Sequence, residues 1–325
     1  MGSTSILMNC CTIVIHTFSM IISLIILILI IYRLYYNKLY RHQIDMQCRS
    51  STFDDNIALI LIGNTYLIFF IYHIIWISIS LRTFIGDFSL LKDIIYHTDS
   101  KVCRIQVGII FFLTSQMYHS FILQALYRHL KIISISKLST IKICHMSLNN
   151  ISVYIFMIIF SWFISFAVLI PAYTTFNVFA YFPQQYHCRI SFTNVKGSIY
   201  SLLVSYLIPV CIVLYIYCRF IFCIRRSPNR GVLLQTRHET IVIKYILKIS
   251  LTMCVLGFPT LFFQLQFALT GEIHPLADRI HELCLSINAM GFTLCFAILN
   301  SLVQLLPQLS ADEDSSMINL KISNV

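Results

Sequence analysis

Seven stretches of the chain carry no aspartate, glutamate, lysine or arginine: roughly 10–32, 57–81, 105–127, 151–172, 198–218, 249–269 and 283–305. Each is long enough to cross a hydrocarbon core as a helix, which takes about 20 apolar residues. Backbone amides in lipid must find partners within their own helix or in a closed barrel. The apolar residues here run continuously instead of alternating, so barrel strands are disfavoured. The pattern predicts an all-α membrane protein, a seven-transmembrane helix bundle. Extended to their polar flanks, the spans lie at about 10–32, 57–81, 102–127, 151–172, 198–223, 241–269 and 281–305. They form one domain over residues 10–309, between a short amino-terminal segment (1–9) and a tail (310–325).

Composition agrees with this pattern. Of the 325 residues, 58% are hydrophobic and 11% charged, and the mean hydropathy is +0.80. No water-soluble core of this size could hide so much apolar surface. The net charge of +10 invites a nucleic-acid reading, but the placement of the basic residues argues against it. Arg128, Lys131, Lys137 and Lys142 follow the third span, and Arg219, Arg225, Arg226, Arg230, Arg237 and Lys244 follow the fifth. On the opposite side, Arg82, Lys92, Lys101, Arg189, Lys196 and Arg279 are balanced by Asp87, Asp93, Asp99, Glu272, Asp278 and Glu282. The positive-inside rule puts the basic loops in the cytoplasm. The amino terminus is then outside and the carboxyl terminus inside. The first span lacks the basic n-region of a cleaved signal, and Ile6 stands where a myristoylation motif needs serine or threonine.

This topology sorts the twelve cysteines. Cys48 and Cys144 fall in reducing cytoplasm, and Cys211, Cys218, Cys223, Cys254 and Cys295 fall within or near spans, where a thiol acts as a small apolar filler. Cys10, Cys11, Cys103, Cys188 and Cys284 fall near the oxidising face. A bridge between Cys103, heading the third span, and Cys188, in the loop after the fourth, would pin that loop over the mouth of the bundle. Two free thiols are the alternative, and a second bridge from Cys10 or Cys11 to Cys284 also stays open.

Several landmarks recur together. Arg128 follows Cys103 by twenty-five residues, Trp162 lies midway along the fourth span and Pro171 near its outer end. Cys188 comes next, then Pro209 and Tyr217 in the fifth span and Pro259 in the sixth. In order and spacing these resemble a rhodopsin-like (class A) G-protein-coupled receptor, and in character the invertebrate neuropeptide receptors of the FMRFamide-like group. The resemblance covers spans two to seven. It implies a plasma-membrane receptor, not an enzyme, with no cofactor and no resident metal. Its implied partners are an extracellular ligand, a heterotrimeric G protein, arrestin and the surrounding bilayer. By the same resemblance Arg128 is the arginine of the family's inner switch, with Tyr127 where the preceding acid usually stands. Glu239, twenty residues before Pro259, takes the place of its acidic partner on the sixth span. Pro259 is the hinge, and Tyr217 is the residue toward which Arg128 turns on activation. A proline removes one helix hydrogen bond and bends the axis whatever the family.

The chain also departs from the family pattern. Gly257 replaces the tryptophan two places before Pro259, and the seventh span has neither Asn-Pro nor an inner tyrosine. Asn64 stands where many members carry a sodium-binding aspartate, and an amide is a poorer cation ligand. Ile110 stands where amine receptors carry an aspartate, so an amine ligand is disfavoured. The seventh span has no lysine to hold retinal. Candidate pocket residues are Ile110, Ser201, Ser205, Gln264 and Tyr186, the last in an aromatic loop from Tyr173 to Lys196. Serine hydroxyls in such helices often bond their own backbone. The short amino-terminal segment favours a short peptide over a large hormone, and the outer acids would attract its cationic end.

Other readings weigh less. HELC at His281–Cys284 lacks the second histidine of a zinc-protease motif, and His16, His73, His97 and His119 show no ligand spacing in sequence and suit packing. Asn150-Ile151-Ser152 is a formal glycosylation sequon on the side assigned to the cytoplasm. A transporter or channel would carry mid-membrane ionisable groups or inverted repeats, which the spans lack. A chemosensory receptor for a small molecule is the remaining alternative.

Overall fold

The computed structural model describes residues 2–41, 49–87, 100–135, 151–182, 187–190, 194–226, 262–263, 266, 269–270, 280–295 and 297. Its elements are α1 (Gly2–Arg41), α2 (Arg49–Asp87), α3 (Ser100–Ile135), α4 (Ile151–Thr174), the strands β1 (Phe179–Phe182) and β2 (His187–Ile190), and α5 (195–226). A shorter apolar helix, α6 (Ile280–Cys295), occupies the seventh span. Among the described residues, five helices are long and apolar enough to cross a membrane. The sixth span (241–269) lies outside the described residues except for 262–263, 266 and 269–270, which are helical.

The helices overrun the uncharged windows. α1 begins at Gly2, so the segment 1–9 is mostly a continuation of the first helix, and α2 runs on to Asp87. α3 is the centre of the bundle and packs on α2, α4, α5 and both strands. Its buried Leu113, Met117 and Tyr118 join Tyr66, Phe69, Tyr72 and Trp76 of α2, Val210 of α5 and Phe292 of α6 in one core. The outer faces of α1 and α4 expose Ile25, Ile28, Leu29, Phe156, Phe160 and Phe163, as expected of helices whose solvent is lipid.

Hydrogen bonds between side chains add ties across the helices, each contributing about 1 kcal/mol in a membrane. Asn64 Nδ2 donates to Ser120 Oγ at 3.3 Å, and Trp162 Nε1 donates to Asn64 Oδ1 at 3.1 Å, joining α2, α3 and α4. Gln124 Nε2 donates to Thr65 Oγ1 at 2.7 Å. A second group joins α1, α2 and α6. His16 Nδ1 lies 2.9 Å from His73 Nδ1, His16 Nε2 lies 3.0 Å from Ser286 Oγ, and the His16 ring stacks on Trp76 at 5.5 Å. His16 and His73 do fill packing positions, but as a buried pair, because α1 and α2 run side by side.

At the outer end, Thr175 and Phe176 N–H both donate to the Pro171 carbonyl at 3.0 Å and close α4. Asn177 then takes φ 44, a left-handed conformation that asparagine tolerates, and the chain turns into the antiparallel hairpin β1–β2. Tyr181 pairs with Cys188 in its register. Asn194 caps α5: its Oδ1 accepts from Gly197 N–H at 3.1 Å and its Nδ2 donates to the Phe176 carbonyl. A Cβ on Gly197 would lie 2.7 Å from Val178 Cγ2 and 3.0 Å from Asn194 Nδ2. Gly197→Ala is therefore expected to destabilise this outer end by about 1–3 kcal/mol. Thermal melting of the purified variant checks this, and an unchanged midpoint would contradict it. Further along α5, Pro209 has no N–H to offer the preceding turn. Leu203–Leu207 widens there into a π-helical turn, a common accommodation of a local break in the ladder.

Candidate functional site

The bundle has two ends with different chemistry. In the outer half, α2, α3, α5 and α6 enclose a cavity of about 200 Å³. Tyr72 and Trp76 come from α2, Ile110, Thr114 and Tyr118 from α3, Ser201 and Ser205 from α5, and Asn288 and Phe292 from α6. None of its described lining residues is Asp, Glu, Lys or Arg. The cavity has an aromatic base: Tyr118 meets Tyr206 edge-on at 5.4 Å, and Phe292 lies 5.2 Å from Phe121 and 6.1 Å from Phe69. These rings join four helices, α2, α3, α5 and α6, in a bundle that has Gly257 where the family it resembles carries tryptophan.

A disulfide joins Cys103 at the head of α3 to Cys188 in β2, with Cα atoms 5.5 Å apart. Around it Val107 and Phe111 of α3 pack with Ala172, Val178 and Phe179. Val107 and Phe111 also line the cavity, so the hairpin and the pocket share a wall. Cys10, Cys11 and Cys284 are free thiols, and the alternative second bridge does not form.

At the inner end, Tyr127 is buried and meets Tyr154 of α4 edge-on at 5.4 Å, beside Ile57 and Leu61 of α2. The position that usually carries an acid is thus an apolar anchor. Arg128 is half-buried on the next residue of α3, and Tyr217 on α5 is fully buried. Glu239 and Pro259 lie outside the described residues, as do Gln264 and Tyr186.

The model of the family described as "7 transmembrane receptor (rhodopsin family)" matches residues 96–304, well over half of the chain. The chain belongs to the rhodopsin family of seven-transmembrane receptors. Among solved structures, squid rhodopsin superposes on the receptor with a TM-score of 0.62 at 12% identity, covering 95% of this chain and 87% of that one. At that identity the likeness shows the fold alone. No curated protein sequence matches the receptor significantly. Membership makes it a multi-pass plasma-membrane receptor that signals through G proteins and is not an enzyme.

Of the candidate pocket residues, the receptor gathers Ile110, Ser201 and Ser205 around one cavity. Ser205 Oγ donates to the Ser201 carbonyl and Thr114 Oγ1 to the Ile110 carbonyl at 2.8 Å, the back-bonding expected of hydroxyls in apolar helices. Ser201 Oγ does not follow suit and has no partner among the described residues. Asn64 is engaged by Ser120 and Trp162, so its amide serves helix packing. Sequence reasoning missed Tyr72, Trp76, Asn288 and Phe292. The signal available was the amide of Asn288 in the run 283–299, whose other polar residues, Ser286 and Thr293, carry only hydroxyls. Among the described residues no cluster of three or more histidine, cysteine or acidic side chains could hold a metal ion.

Proposed function

We propose that the receptor binds a short extracellular peptide and, through an outward movement of its sixth span, activates a heterotrimeric G protein. The observation that carries this reading is the pairing of an outer cavity walled by a disulfide-held hairpin with an arginine, Arg128, at the inner end of the same helix. A ligand shifts such a two-state bundle only through its preference for one state. Moving the balance from 1:99 to 99:1 takes about 5.5 kcal/mol of that preference. At rest Arg128 pairs with Glu239 and ties the third and sixth spans together. On activation the sixth span swings about Pro259, Arg128 turns toward Tyr217, and the opened cleft with its basic loops admits a helix of the Gα subunit. Arrestin uses the same cleft. A hydrogen bond to a charged group contributes about 1.5–3 kcal/mol, enough to hold a resting state and within reach of a ligand.

A peptide is favoured by the aromatic loop between Tyr173 and Lys196 and by the outer acids Asp87, Asp93, Asp99, Glu272, Asp278 and Glu282, which suit a cationic segment above the uncharged cavity. The test is a peptide-library screen on the purified receptor with a heterotrimeric G protein, read as nucleotide exchange. Peptide-dependent exchange supports the reading. A substrate-driven current in cells lacking G proteins, with no exchange, would replace it with a transport function.

A further inference from the structure

Four fully buried side chains form a row that crosses three helices: Ser286 of α6, His16 of α1, His73 of α2, and Thr293 of α6 again. His16 Nε2 lies 3.0 Å from Ser286 Oγ, His16 Nδ1 lies 2.9 Å from His73 Nδ1, and His73 Nε2 lies 3.4 Å from Thr293 Oγ1. Each hydroxyl also has an acceptor on its own helix, the Glu282 carbonyl at 2.7 Å for Ser286 and the Ala289 carbonyl at 3.0 Å for Thr293. The coupling of Arg128 to the sixth span uses none of these groups.

The geometry sets how many protons the row can hold. A neutral imidazole has one N–H and one bare nitrogen, so two neutral rings bring two protons. One lies between the facing Nδ1 atoms and the other on one of the two Nε2 atoms. The remaining Nε2 is bare and accepts from its hydroxyl, Ser286 or Thr293. A third proton, delivered by water, fits on that bare Nε2. The hydroxyl then turns to its own helix carbonyl and accepts from the new N–H, and no heavy atom has to move. A fourth proton would set two N–H groups head to head across 2.9 Å, and the rings would have to part. The row therefore takes up one proton and no more.

The surroundings suit the charge that this proton brings. The His16 ring lies over Trp76, with centroids 5.5 Å apart and planes 8° from parallel, and an aromatic face attracts a cation. Glu282, one turn nearer the outer end of α6 and half-buried, acts electrostatically on His16. Tyr72 meets His16 and His73 edge-on at 6.3 and 5.7 Å, and Phe69 covers His73 at 6.4 Å. The sixth span brings no further charge, since its run between Lys248 and Glu272 contains no charged residue and no histidine. Trp76 also lines the outer cavity, so a charge placed beneath its ring acts on the cavity wall.

We infer that the pair His16 and His73 is a proton-binding site, which takes up one proton when the outer side is acidified, holds it across both rings, and conveys it to the outer cavity through Trp76. Its regulatory meaning rests on that cavity being the receptor's ligand site. The proton itself is measured without ligand or G protein, so a failure here is distinct from a failure of the exchange assay.

The experiment takes the full chain in nanodiscs, with histidine labelled by nitrogen-15, from about pH 8 to pH 4, a range that spans the titration of histidine. The pair is recognised without any variant by the magnetic coupling of its two Nδ1 nitrogens across the shared proton. Both rings are expected to change together in a single step that binds one proton. Imidazolium quenches indole, so Trp76 emission, obtained as the difference from Trp76→Phe, is expected to fall at least twofold over the same step. Ser286→Ala removes an acceptor for the new N–H and is expected to need about tenfold more acid to reach the same uptake, because a hydrogen bond to the charged form favours it. Rings that stay neutral to the acid end of the range, or that titrate in two separate steps, overturn the inference. So does a Trp76 emission that ignores the step, or a Ser286→Ala receptor that titrates like the unaltered one.

Discussion

Replacing Cys188 with serine is expected to remove about 4–5 kcal/mol of stability, the amount by which a crosslink spanning 85 residues restricts the unfolded chain. The loss has a local consequence as well as a global one. Cys188 lies in the strand that packs on α3, and Phe179 of the partner strand sits against Phe111 at 5.9 Å. With the bridge gone, the hairpin loses its covalent tie to α3, and the wall shared with the cavity loosens. The double variant Cys103→Ser/Cys188→Ser is expected to behave like either single one, because all three lack the same bond. Melting of the purified variants and their surface abundance in cells measure the effect. A Cys188→Ser receptor with unchanged melting and expression would show that the hairpin holds itself in place.

Arg128→Gln is expected to reduce ligand-stimulated nucleotide exchange by about tenfold or more while leaving ligand binding intact. Glutamine keeps much of the length and some of the hydrogen bonding, but not the charge that makes such bonds contribute about 1.5–3 kcal/mol. Arg128 stands at the inner end of α3, far along the helix from Ile110 and Thr114 at the cavity, so a change confined to exchange is the signature of a coupling residue. Tyr127 anchors this end of α3 against Tyr154 and α4. In the proposed mechanism the arginine is thus presented by an anchored helix to the span that moves. Loss of ligand binding in parallel with exchange would mean that Arg128 supports the fold instead.

The bundle was legible in the sequence because charge is expensive in lipid: the runs free of Asp, Glu, Lys and Arg mark where helices cross. The ends of those helices were not legible, since Ser3, Thr4 and Ser5 look like an irregular polar segment yet continue the first helix. Cys103 and Cys188 were readable from the sides on which they fall, and the aromatic loop between Tyr173 and Lys196 from its composition. Most of the cavity was hidden. In helices that are apolar all round, no stripe distinguishes Tyr72, Trp76 and Phe292, which face the ligand site, from residues that face lipid. The same uniformity concealed the meeting of His16 and His73 across 57 positions, which depends on how two neighbouring helices are set against each other. Asn64 was readable as a poor cation ligand, but its partners Ser120 and Trp162 were hidden for the same reason.

The measurement that bears most directly on the coupling is the distance between spin labels at Leu130→Cys, on the inner end of α3, and Arg237→Cys, ahead of the sixth span. It is read by pulsed electron resonance in a background that keeps the Cys103–Cys188 bridge and replaces the other ten cysteines. Addition of activating ligand and G protein is expected to produce a longer-distance population that Arg128→Gln diminishes. A single distance distribution, unchanged by ligand and G protein under conditions where nucleotide exchange proceeds, would contradict the account.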